Sequence, residues 1–179
     1  MEECHGVIRL LQEQYFSRVL IVQIEGMNMQ SFSKCTFTKL QTSYIVPAVE
    51  VAWEKQQASL IQERTGKQII CGGDARCDSP EFSAKYEAYT LMDLEAKKVL
   101  DIQLVQSKEV KGSTHMEIEG LKRGLNHINK DHGLTIKALV TDRHRMMQKY
   151  MKEEREDTKH YFDVWHLAKE AGGSCKKGW

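Results

Sequence analysis

Between residues 67 and 162 the hydrophobic period switches repeatedly between two and 3.6, and this constrains the fold more than any other feature. Residues 67–72 form a short apolar run that stops at two glycines. Residues 84–93 (AKYEAYTLMD) are rich in β-favouring side chains, and residues 98–106 (KVLDIQLVQ) alternate polar and apolar. Asp93-Leu94-Glu95-Ala96-Lys97 supplies a turn between the latter two, so the three segments predict an antiparallel meander. The next stretch, STHMEIEGLKRGLNHINKDHG, predicts a helix. Thr114 and Glu117 have capping-box spacing, Gly133 closes the helix, and Ile118, Leu121, Leu125 and Ile128 share one face. Gly120 and Gly124 cost stability in mid-helix, which makes sense where the helix backbone lies against a sheet. Residues 134–141 (LTIKALVT) are nearly continuously apolar, as in a buried parallel strand. A helix (RMMQKYMKEERE) and a last short strand at residues 160–162 complete the pattern.

The order β-β-β-α-β-α-β is that of the ribonuclease-H-like fold, an α/β class with a mixed sheet. Three antiparallel strands come first, then parallel strands are added through right-handed crossovers. The first, fourth and fifth strands each deliver an aspartate at their exit: Asp74, Asp142 and Asp163. Because the first and fourth strands are neighbours in such a sheet, Asp74 and Asp142 are expected to share one space. Paired carboxylates suit Mg2+ or Mn2+, hard ions that prefer oxygen and keep several waters. Two such ions roughly 4 Å apart support in-line displacement at a phosphodiester. Asp78 competes with Asp74 for the first position, although a cap on the Ser79-Pro80 turn is its simpler use. Asp142 likewise has an alternative as the N-cap of the following helix. Lys137, Arg143, His144, Arg145 and Lys149 gather around the second aspartate, either to contact phosphates or as a solvated helix face.

Bulk properties agree with a globular α/β domain. The chain has 179 residues, 41% apolar and 28% charged, with a net charge of +1, so a nucleic-acid role needs a local patch rather than a basic domain. No apolar run is long enough for a membrane span, and the acidic start MEECHGVIRLL is unlike a signal peptide. Five cysteines without framework spacing predict free thiols and a nuclear or cytoplasmic, non-secreted protein. No Cys/His pattern completes a structural zinc site. Residues 1–62 read as an N-terminal helical segment. There Val7, Leu10, Leu11, Tyr15 and Val19 recur at helical spacing, and Pro47 opens a helix with Val49, Ala52, Trp53 and Ile61 on one face. Residues 67–169 form the core, and 170–179 (EAGGSCKKGW) a tail.

GGDARCDSP, TDRHR and DVWH, together with the intervening segments over residues 37–169, resemble transposase-derived proteins carrying a DDE catalytic domain. DVWH is similar to the Cys/Asp-x-x-His motif of hAT and Mutator-like transposases. The resemblance implies ancestral metal-dependent DNA strand cleavage and transfer. It puts Asp74 and Asp142 as catalytic and metal-binding carboxylates, and Asp163 and His166 beside the site. Such families place a third acid, a Glu, on a helix well beyond that motif. This chain ends 13 residues after His166, with only Glu170 downstream, so a C-terminally truncated and inactive core is expected. Glu117 or Glu119 on the first core helix is a substitute for the missing acid, in the manner of ribonuclease H. The other expectation is a non-catalytic domesticated module that binds nucleic acid, a protein partner or a second copy of itself.

Overall fold

Five strands hydrogen-bond into one mixed sheet: β1 (Gln68–Cys77), β2 (Tyr86–Asp93), β3 (Lys98–Gln106), β4 (Thr135–Thr141) and β5 (Lys159–Phe162). Their spatial order is β3-β2-β1-β4-β5. β1, β2 and β3 form the antiparallel meander; β4 then pairs parallel to β1, and β5 parallel to β4. The structure is a computed structural model and describes residues 33–79 and 84–164, with 23–24 and 26–28 ahead of them. Val7, Leu10, Leu11, Tyr15 and Val19, and the tail at 170–179, lie outside the described residues.

Helices α3 (Met116–Asn126) and α4 (Arg145–Glu154) connect the parallel strands. With α2 (Val46–Arg64) they cover the sheet, and a single main core joins Leu60, Tyr89, Leu91, Leu121, Leu125 and Met147. The two mid-helix glycines let α3 approach the strands. An added Cβ would stand 2.5 Å from Tyr89 Cβ at Gly120, and 2.7 Å from Leu91 Cδ1 at Gly124. The α3 stripe is as expected, with Leu121, Leu125 and Ile128 buried and Ile118 packed against the core.

Several local expectations are corrected. β1 does not stop at Gly72 but runs on to Cys77, because past its last parallel partner it keeps its ladder with β2. Thr114 does not cap α3. Ser113–His115 is a 3-10 turn that moves the helix start to Met116, and Thr114 Oγ1 pairs with His115 Nδ1 at 3.2 Å instead. Pro47 stands in the first turn of α2 as expected, but the helix has no free start there: α1 (Lys34–Leu40), capped by Ser33, runs through a π turn at Gln41–Ile45 straight into α2. The wider turn accommodates a proline that has no N–H to donate and whose ring crowds the preceding turn. The inward face of α2 also differs. Val49 is 40% exposed, whereas Leu60 and Arg64 are buried. Polar groups anchor that face: Gln57 Nε2 donates to Leu100 O at 3.0 Å, and Arg64 Nη1 to Glu95 Oε2 at 2.9 Å. Among the described residues no helix is long and apolar enough to cross a membrane.

Candidate acidic site at the strand ends

The parallel ladder between β1 and β4 ends at Gly72↔Val140, and beyond it the two strands diverge. β1 carries on against β2 alone, with Asp74 opposite Thr90. Asp142 follows Thr141, the last residue of β4. Asp163 follows β5, and its backbone N–H donates to Thr141 O at 3.0 Å, which fixes it beside the β4 exit. Asp74, Asp142 and Asp163 consequently line one cleft of about 600 Å³, together with Gly72, Thr90 and Met92. Three aspartates, one within β1 and two just past β4 and β5, thus border one cleft at one end of the sheet.

The helix-covered face adds a second set of polar groups. Gly73 has no Cβ, and one added there would collide with the Tyr89 hydroxyl. That hydroxyl is fully buried and has no hydrogen-bond partner among the described residues. Burial, reinforced by the negative charges of Glu117, Asp74, Asp142 and Glu87, keeps it protonated far above the usual phenol range. Glu87, only 4% exposed, accepts a hydrogen bond from Cys77 Sγ at 3.1 Å through Oε2, while its buried Oε1 has no partner. Burial raises its pKa, with the Cys77 bond acting in the opposite direction. The Cys77 thiol is in turn pushed up to about 12, first by burial and then by the bond to Glu87 and its charge, so it is a poor nucleophile.

Glu117 sits in the first turn of α3, with Oε2 4.0 Å from His144 Nδ1. Its pKa is raised to about 7, by burial first and then by the charges of Glu87, Asp142 and Asp74. Glu117 is therefore electrostatically part of the strand-end site. Glu119 is not; it pairs with Arg123 Nε at 2.9 Å. Glu87 and Tyr89 are absent from the sequence reading. Their one visible signal is a carboxylate on the same strand parity as the apolar Leu91.

Asp78 lies elsewhere. Its Oδ1 accepts from Lys85 N at 3.0 Å and Tyr86 N at 3.3 Å, so it caps the returning strand β2, with a longer 3.4 Å bond from Ser79 Oγ. The α4 N-cap is His144, which makes no side-chain cap, so the helix-capping alternative for Asp142 is not what the chain uses. Arg143, Arg145 and Lys149 are exposed at the start of α4, and Lys137 is exposed on β4. His166 and Glu170 lie outside the described residues.

The donors at the strand ends are hard oxygens, the type that suits Mg2+ or Mn2+. Among the described residues, however, no three His, Cys, Asp or Glu side chains stand close enough together to hold an ion. The residues therefore fit an open site, in which one or two carboxylates hold a largely hydrated ion and substrate phosphates complete it, not an all-protein cage.

No family model and no curated protein matches the sequence, so the transposase resemblance rests on the quoted motifs alone. Among solved structures, the chain is similar to Ciona intestinalis endonuclease V in complex with a DNA containing an inosine, at 12% identity and a TM-score of 0.29. It is also similar to the catalytic domain of human endonuclease V, at 14% identity and a TM-score of 0.30. The alignments cover 54% and 53% of this chain but only 46% and 47% of those structures, so the chain spans just under half the length of either.

Proposed function

We propose that this chain is a ribonuclease-H-like core of transposase descent, whose ancestral reaction is metal-dependent cleavage and transfer of DNA strands. Asp74 and Asp142 are its primary carboxylates, Asp163 stands beside them, and Glu117 takes the place of the third acid. The observation that carries the reading is the convergence of Asp74 and Asp142 on one cleft from adjacent strands, with Glu117 under the field of both. When bound, Mg2+ or Mn2+ would supply charge neutralisation at a phosphodiester. Asp74 and Asp142 would hold such an ion, and exposed Arg143, Arg145 and Lys149 contact neighbouring phosphates of the strand. Alone, this chain binds nucleic acid more readily than it cleaves it.

The test is titration of Mn2+ into the whole chain with and without a short single-stranded DNA, in parallel with the Asp74→Asn/Asp142→Asn double variant. An open site predicts weak binding of the ion alone, at least tenfold tighter binding with DNA, and loss of that gain in the double variant. The second reading is a binding module without chemistry, which the lack of three preassembled ligands among the described residues favours. It predicts DNA affinity independent of Mn2+ and unchanged in the double variant.

A further inference from the structure

A second cleft, of about 560 Å³, lies between α2, β3 and the end of α3. Its wall includes Trp53, Asp101, His127, Asp131 and His132. The α3 helix does not end as an ordinary α-helix there. It widens into a π turn at His127–Asp131, closed by a five-residue bond from His132 N to His127 O at 3.3 Å. A wider turn puts residues five apart above one another, and such turns are often found at functional sites. Here it brings the His127 and His132 rings edge to face, with centroids 4.5 Å apart. Two imidazoles bound to one tetrahedral ion at Zn–N distances of about 2.0–2.1 Å have centroids roughly 5.2 Å apart, so these rings must separate slightly to share an ion.

The surroundings orient the same two rings. Asp101, 3% exposed, holds His127 Nδ1 at 2.9 Å through Oδ1 and receives Gln103 Nε2 at 2.9 Å on Oδ2. A carboxylate on Nδ1 fixes the tautomer that leaves Nε2 as the electron-pair donor, the arrangement seen behind metal-bound histidines. His127 Nε2 faces Asp131 Oδ2 at 3.9 Å, and His132 Nε2 is buried without a hydrogen-bond partner among the described residues.

We propose that His127 and His132 bind a divalent ion of the zinc class, with Asp131 as third ligand and Asp101 as the positioning carboxylate behind His127. The Asp131 side chain is 66% exposed and must swing in, so three ligands do not stand together before the ion arrives. The remaining coordination position opens on the cleft. This site uses nitrogen donors and is independent of the hard-ion carboxylates at the strand ends.

The test uses untagged full-length chain and Co2+ as the spectroscopic probe, followed by displacement with Zn2+. The expected result is one saturable tetrahedral Co2+ absorption without a thiolate charge-transfer band. His132→Ala and Asp131→Asn should weaken Co2+ binding at least tenfold, and Asp101→Asn 10–100-fold, while Asp74→Asn/Asp142→Asn leaves it unchanged. Circular dichroism checks that each variant is folded, and Asp131→Asn, on an exposed side chain, keeps the test valid if a histidine variant unfolds. No saturable binding, a thiolate band, or binding indifferent to both His132→Ala and Asp131→Asn would overturn the proposal.

Discussion

Replacing Glu117 by Gln should make the protein more stable at neutral pH, and the gain should vanish in acid. The Glu117 pKa rises from 4.5 to about 7 in the folded chain, so the fold favours the protonated carboxyl. For such a group, stability is complete below the unfolded pKa and falls as pH rises, until the folded pKa has been passed. The window is therefore about pH 4.5 to 7. At roughly 1.4 kcal/mol per unit, the ceiling of the loss is about 3 kcal/mol. The side chain is 24% exposed, so solvent screening reduces this, and a gain of about 1–2 kcal/mol is expected for the neutral, nearly isosteric amide. Urea denaturation of parent and variant at half-unit steps from pH 4.5 to 8 measures the difference directly. Titrations of groups away from the site cancel between the two proteins, whereas that of the buried Glu87, coupled to Glu117, enters the difference. A stability difference that stays flat across the range would refute the assignment of Glu117 to the acidic cluster. One that grows toward low pH would reverse its sign.

Gly120→Ala should destabilise by about 1–3 kcal/mol despite alanine's better helix propensity, because the new methyl meets the Tyr89 Cβ at 2.5 Å; an unchanged urea midpoint would refute the close approach. Arg64→Ala should cost about 3–5 kcal/mol, since it strips the ion pair from a fully buried Asp93 whose Oδ2 lies 2.7 Å from Arg64 Nε. Adding Asp93→Asn should return part of that loss, and a single variant that costs under about 1 kcal/mol would show that the pair is not structural.

The sheet was largely legible because its strands announce themselves by local period: β3 runs over the residues that alternate, Lys98–Gln106, and β4 starts one residue late. Gly120 and Gly124 were legible for a physical reason, since a mid-helix glycine is costly unless something needs the space. The inward face of α2 was not. Its inward positions include Gln57 and Arg64, which bond a β3 carbonyl and the β2–β3 turn, so no apolar stripe marks it. Asp142 and Asp163 could be found because strand exits are visible in sequence, whereas Asp74, expected at an exit, lies inside β1 where the strand leaves its parallel partner. Glu117 was visible only as one of two equal candidates, because the direction of a helix face depends on where the helix begins. That start was set by a 3-10 turn which the Thr114 spacing did not reveal. Glu87 and Tyr89 become part of the site only through the strand pairing Cys77↔Glu87 and Ala75↔Tyr89, which no single segment encodes.

The change of partner along β1 also has a kinetic consequence. The β1–β2 ladder begins at Cys77↔Glu87, a closure of about 10 residues, whereas Gln68↔Thr135 in the β1–β4 ladder closes about 70. Chain entropy makes the longer closure costlier by roughly 1.7 kcal/mol, and long-range pairings are slow to find. The meander can thus assemble with Asp74 already in its strand while Asp142 is still far away. The Asp142 share of the acidic repulsion at the strand ends then arises only when β4 docks, after most of the stabilising contacts of β1 and β2 are in place. A chain arranged in this order adds the Asp142 charge to Asp74 and Glu87 only after their strands have paired.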